Sequence, residues 1–208
     1  MERYLSPGGY GEAELIEKRS RFIARVAPVE YEDAAKEEIA KARARYHDAS
    51  HNCWCYIIRG GQERYSDDGE PQGTAGLPML EVFSRGGILN VCCVVTRYFG
   101  GTLLGAGGLS RAYSSAARSA LANAGTVEFR HCECLDVVCQ YNSLGRVKAE
   151  LENSLCLIES LVYGEAVVFN VLIPDGTSDN IITRLKDISA GTVSCAVTGK
   201  KYSNQLSM

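Results

Sequence analysis

VVTRYFGGTLLGAGGLSRAY, residues 94–113, holds the junction on which the reading of the fold turns. On its left the chain runs ILNVCCVVTRYFGG (88–101), which reads as a fully buried strand running into glycines. On its right comes LSRAYSSAARSALANAG (109–125). There Leu109, Ala112, Tyr113, Ala116, Ala117, Ala120 and Leu121 recur at helical spacing, and Gly125 stops the helix. The small residues on that stripe predict close packing of a helix on a sheet. Between strand and helix lies a loop with five glycines: Gly100, Gly101, Gly105, Gly107 and Gly108. Glycine lets backbone N–H groups approach a ligand closely. A helix start adds unpaired donors and a partial positive charge. With Arg97 and Arg111 as clamps, the junction is a candidate anion site. A tight turn and close packing account for the glycines equally well. The loop is not a P-loop, since no GK[ST] follows. It is not a dinucleotide fingerprint either, since Ser110 stands where the third glycine belongs.

Working outward, the first half alternates strand and helix signals. Residues 15–29 read as one extended segment, and YEDAAKEEIAKARARY (31–46) as a helix burying Ala35, Ile39 and Ala42. HNCWCYIIRGG (51–61) reads as a strand, followed by a stretch dense in turn residues. Pro78 fits the first turn of a helix, PMLEVFSRG. The second half has another rhythm. It runs strand (132–140), helix (141–154, capped by Asn142 or Ser143), hairpin (156–174), helix (178–189) and strand (191–199). That order, βαββαβ, is the ferredoxin-like plan. The expected architecture is α+β in two domains, residues 1–128 and 129–208.

Two further segments carry chemistry. In SDDGEPQGTAG (66–76), Asp67, Asp68 and Glu70 are candidate ligands for Mg²⁺ or candidate acid–base groups, beside Gly73, Thr74 and Gly76 at a second glycine–helix junction. An acidic solvated turn is the plainer reading. In DASHNCWCY (48–56), His51, Cys53 and Cys55 share one face of a strand. No fourth ligand stands nearby, so no metal is assigned. His51 is kept as a pocket candidate. A Cys–His nucleophile pair gains little from i, i+2 neighbours. No catalytic residue is assigned.

Composition narrows the classes. The 208 residues are 46% hydrophobic and 23% charged, as in an ordinary globular protein. With 22 basic and 25 acidic side chains the net charge is −3, which excludes a basic nucleic-acid arm. Charge is nevertheless uneven: no acid lies between Glu81 and Glu128, while Arg85, Arg97, Arg111 and Arg118 do. Such a block can hold an anion, and a solvated arginine face is the commoner meaning. No apolar run is long enough to span a membrane, and the polar start does not read as a secretory signal. Nine cysteines without a CxxC read as reduced, mostly buried thiols. A cytoplasmic protein is expected.

SRFIA (20–24), SDDGEPQGTAGLPML (66–80) and VVTRYFGGTLLGAGGLSRAY (94–113), with DASHNCWCY beside them, resemble the hallmark stretches of the IMPACT/YigZ family. The similarity spans about residues 10–125, and residues 132–205 resemble the smaller C-terminal domain of bacterial members. The chain departs from the commonest pattern at Asn52, where a second histidine often stands, and at Leu77, where lysine is common. The resemblance implies a first domain of the ribosomal-protein and RNase PH type. It also implies a second domain like the C-terminal domain of translation elongation factors. Family members are linked to translation regulation. The eukaryotic members' extra N-terminal module, which docks a translation-control partner, is not expected before residue 15. Two functions compete. One is a regulatory protein that binds ribosome, RNA or a translation-related protein through Arg97, Arg111 and the glycine loop. The other is an enzyme or sensor for a small phosphorylated ligand. It would use the same loop, with Asp67, Asp68 and Glu70 holding Mg²⁺ or moving a proton and His51 assisting. No other cofactor is expected.

Overall fold

The computed structural model describes residues 3–206. The chain divides into two compact units, Tyr4–Val127 and the chain from Glu128 onward, the latter with Arg3.

After β1 (Arg3–Pro7), the first unit forms a hairpin of β2 (Gly11–Glu17) and β3 (Ser20–Pro28). This divides the extended segment expected over 15–29. Lys18 and Arg19 both take positive φ, 45° and 69°, making a two-residue turn without the glycine or asparagine that normally signals one. Next come α1 (Glu32–Arg45), β4 (His51–Ile57) and β5 (Glu63–Ser66). The strand expected over 51–61 stops at Ile57, and β5 is an exposed edge strand where turn was expected. Then follow α2 (Gly76–Arg85), β6 (Val91–Tyr98) and α3 (Ala106–Ala124), with Pro78 in the first turn of α2.

The sheet order is β2-β3-β6-β4-β5, antiparallel throughout. The central strand β6 is buried from Val91 to Arg97, as its apolar run predicted. Its alternate residues serve two cores. Val91, Cys93 and Val95 pack under α2 and α3, while Cys92 and Val94 pack under α1 with Ala35, Ile39 and Ala42. The closeness of α3 to the sheet shows at Gly11, where a Cβ would collide with the Ala120 carbonyl.

One boundary moves in a way that matters for the site. α3 starts at Ala106, three residues before its apolar stripe, with Gly105 (φ 71°) as its N-cap. Gly107 and Gly108 are therefore helical rather than loop residues. The first helical N–H groups need no intrahelical partner, so weak helix formers are tolerated there.

The second unit runs β7 (Thr126–Cys139), α4 (Leu144–Glu152), β8 (Leu157–Tyr163), β9 (Val167–Pro174), α5 (Ser178–Ile188) and β10 (Ser194–Ser203). β7 starts six residues before the expected strand. These strands lie in the order β10-β7-β9-β8, every neighbour antiparallel. Val147 and Leu151 of α4 and Ile181 and Leu185 of α5 pack on Leu135, Val137, Phe169 and Val171. Ser143 stands at the N-cap of α4, but its hydroxyl donates to the Gln140 carbonyl rather than capping the helix.

Among the described residues no helix is long and apolar enough to cross a membrane. All nine cysteines are free thiols, six of them buried.

Candidate functional site

The three hallmark stretches meet at one end of the first sheet, on the face covered by α2 and α3. Register brings this about: Arg97 of β6 pairs with Phe22 of β3 on one side and His51 of β4 on the other. The loop from β5 to α2 then folds Glu70 over Arg97. Arg97 Nη1 donates to Glu70 Oε1 at 2.7 Å, and Tyr113 of α3 donates its hydroxyl to the same oxygen at 2.7 Å. Arg97 Nη2 donates to Ser20 Oγ at 3.2 Å, and that oxygen also accepts from the Gly100 N–H. The guanidinium lies 5.4 Å from the rings of both Phe22 and Phe99. Arg97 Nε has no hydrogen-bond partner among the described residues. Arg97 is therefore a buried cation already balanced by a carboxylate. It does not act as an open clamp paired with Arg111, which is exposed and lines other concavities.

The acidic loop separates in the same way. Asp67 accepts from the N–H groups of Gly73, Ala75 and Gly76, so it caps α2 from eight residues upstream. Asp68, at φ 43°, accepts from the Asn52 N–H and from Arg43, and its carbonyl lies 2.9 Å from His51 Nδ1. Thr74 is buried, with its hydroxyl on the Pro71 carbonyl at 2.6 Å. The three carboxylates are thus drawn to separate partners. Among the described residues no group of three His, Cys, Asp or Glu is placed to hold a metal ion. The expected Mg²⁺ ligands Asp67, Asp68 and Glu70 do not converge.

Cys53 contacts the Asp67 carbonyl and the Tyr113 hydroxyl. Burial pushes its thiol up to about 12. The Tyr113 hydroxyl is raised by burial, with Cys53 and Glu70 adding to the effect. Both groups stay protonated at neutral pH, so Cys53 is not a thiolate nucleophile. His51 shares the face with Cys53 as its strand position predicted, and His51 Nε2 stands 3.9 Å from Glu70 Oε1.

Of the glycines, Gly100 is held tightest: a Cβ there would collide with the Arg19–Ser20 backbone. Gly101 (φ 78°) continues the loop. Gly105 lines a cavity of about 390 Å³ with His51, Glu70 and Arg97. Gly107 lies beside Arg111 Nη1, and Gly108 lines a different concavity with Arg111. Gly73 lines a third, of about 420 Å³, between α2 and α3, together with Arg85, Arg111 and Arg118.

Sequence reasoning missed Tyr113 and Ser20 as site residues. Tyr113 read as one more member of an apolar stripe, and only a hydroxyl buried on that stripe hinted at a polar partner. Arg85 and Arg118 were visible in the acid-free block, but helical spacing alone did not place them opposite each other.

Comparison with known proteins agrees with these groupings. The Impact N-terminal domain matches residues 18–121, and a Domain of unknown function (DUF1949) matches residues 137–192. The chain is 35% identical to the IMPACT family member YvyE of Bacillus subtilis, covering 92% of this chain and 89% of the relative. It is 32% identical to the IMPACT family member YigZ of Escherichia coli, covering 93% and 97%. A solved structure titled as the crystal structure of a hypothetical protein superposes with a TM-score of 0.63 at 32% identity, over 96% of this chain and 98% of that one. The Protein IMPACT of Rattus norvegicus matches at 34% identity over 49% of this chain and 33% of its own length. Held together by the interlocked hallmark segments and matched along nearly its whole length, this chain belongs to the IMPACT family.

Proposed function

We propose that the chain is a cytoplasmic binding protein linked to translation. In this reading it grips an anionic partner, ribosomal or other RNA, with the arginine face between α2 and α3. One observation carries the reading. Arg111 and Arg118 are exposed, have no acidic partner among the described residues, and line one groove with Arg85. Arg85 is the exception, paired with Glu81 at 2.7 Å. The Ser110 hydroxyl also lines the groove. Guanidinium groups spaced along a groove suit phosphates, and Glu81, the one acid among the lining residues, is paired with Arg85. The translation link itself comes from the family resemblance. The nine unpaired thiols support a reducing compartment.

The finer fold assignments belong to the same reading. The order β10-β7-β9-β8, all antiparallel with two crossover helices, supports a ferredoxin-like second domain. The βαβ arrangement of β3, α1 and β4 around β6 supports a first domain of the ribosomal-protein type. The division after Val127 supports a domain boundary at 128.

The test is co-sedimentation with ribosomes at low and high salt, with and without ribonuclease. Binding that salt releases and that Arg111→Glu with Arg118→Glu abolishes supports the reading. A chain that stays at the top of the gradient under every condition refutes it. A small phosphorylated ligand is the competing occupant of the same groove. It would show instead as thermal stabilisation that grows with the logarithm of ligand concentration.

A further inference from the structure

The cavity beneath Glu70 is a different place from the arginine groove and has a different chemistry. Its volume, about 390 Å³, is that of a small-molecule site. Its polar end is formed by His51, Glu70 and Arg97, and its walls by Phe99, Leu103 and Leu104.

The polar end has lone pairs without donors. Glu70 Oε1 receives both Arg97 and Tyr113, while Oε2 has no hydrogen-bond partner among the described residues. His51 Nδ1 faces the Asp68 carbonyl at 2.9 Å, and a carbonyl only accepts. In the neutral imidazole Nδ1 therefore carries the proton and Nε2 presents a lone pair, 3.9 Å from the Glu70 carboxylate. Two acceptors thus lie side by side with nothing to donate between them. The buried Arg97, 4% exposed, adds a second unmatched group at Nε. Its charge cancels that of Glu70, so the site exerts little net pull on a phosphate.

The walls set the rest of the ligand. Leu103 is 83% exposed and Phe99 48%, so two apolar side chains stand at the rim where a bound ring would cover them. A ligand that satisfies this site is flat, near neutral, and carries two adjacent N–H donors along one edge.

We propose that this cavity binds a small planar heterocycle of the guanine type. Its ring N–H and neighbouring amino group would donate to Glu70 and His51, and its face would rest on Phe99 and Leu103. The carboxylate and imidazole read the donor edge, and the apolar rim excludes water from those hydrogen bonds.

Titration calorimetry on the full chain with guanosine, 1-methylguanosine and inorganic phosphate tests this. Guanosine binds saturably, and 1-methylguanosine, which lacks the ring N–H, binds about tenfold weaker or less because a buried acceptor is left unmet. Phosphate gives no heat. His51→Leu removes one acceptor, and Leu103→Asp, on the exposed rim, removes the apolar cover without touching the buried core. Each weakens guanosine binding by about tenfold, and Leu103→Asp does so with an unchanged melting temperature. Arg111→Glu leaves it unaltered, which separates this site from the arginine groove. The proposal is overturned by any one of three results: no saturable heat with guanosine to about 1 mM, equal affinity for the methylated nucleoside, or unchanged affinity in both variants.

Discussion

Arg97 and Glu70 meet at 2.7 Å with side chains only 5% and 3% exposed, so the family's arginine-bearing strand and its acidic loop are locked to each other inside the protein. Removing two charges from water is costly, and their mutual attraction repays that cost only when further hydrogen bonds complete the arrangement. Tyr113 and Ser20 supply those bonds. The pair therefore organises the end of the sheet: it holds the loop over β6 and shapes the cavity beside His51.

Breaking the pair on one side leaves an uncompensated buried charge. Arg97→Leu and Glu70→Leu are each expected to destabilise the first unit by about 3–5 kcal/mol. The double variant Arg97→Met with Glu70→Leu recovers a large part of that loss. Urea unfolding of the three variants measures it, and a double variant as unstable as the sum of the singles contradicts this account.

Asp67 is a helix cap in spite of its place in an acidic loop. Asp67→Ala leaves three backbone N–H groups, those of Gly73 in the loop and of Ala75 and Gly76 at the start of α2, without their acceptor, and a loss of about 2 kcal/mol is expected. Arg43→Ala breaks only the exposed ion pair with Asp68 and costs about 0.5 kcal/mol or less. Thermal melts of the two variants side by side show the contrast.

The glycines of the junction are not equivalent. Gly100→Ala forces a methyl into the Arg19–Ser20 backbone and lowers stability sharply. Gly107→Ala sits in the first turns of α3 with only Arg111 Nη1 nearby, at 3.6 Å, and raises stability by about 0.5–1 kcal/mol. Opposite shifts in denaturation midpoint are expected. Two losses of equal size would mean that Gly107 belongs to a strained loop.

Buried thiols tie stability to alkaline pH. Burial raises Cys53 from 9.0 to about 12, and the same cause raises Cys92 and Cys55. An acid whose folded pKa is raised adds stability that is fully present below its unfolded pKa and is lost as pH climbs toward the folded value. The protein should therefore hold its stability up to about pH 9 and lose it progressively from there toward pH 12. Native alkylation at pH 8 should spare Cys53, which mass spectrometry reads directly.

Binding to RNA or ribosomes through the arginine groove should be salt-dependent. Each guanidinium withdrawn from a phosphate lowers the slope of log K against log salt by about 1. Arg111→Gln and Arg118→Gln should each do so. Arg97→Lys should leave the slope untouched, since that side chain is turned inward onto Glu70.

Wherever local periodicity decides the outcome, the amino-acid order was enough. The seven buried positions of β6, the stripe of α3, the three buried residues of α1 and the βαββαβ succession of the second unit all follow from repeats of two or three to four residues. The Lys18–Arg19 turn and the early start of α3 did not, because neither uses the residues that normally announce such features. What the site does depended on tertiary structure. Arg97, Glu70, Tyr113 and Ser20 stand far apart in the chain, and the register of β3 against β6, the fold of the β5–α2 loop and the packing of α3 together bring them within hydrogen-bonding distance. Charge reads the same in sequence whether a side chain is buried or solvated. Folding decided that Arg97 would face a carboxylate and Arg111 the solvent, because the pleat turns one toward the core and the helix turns the other away from it.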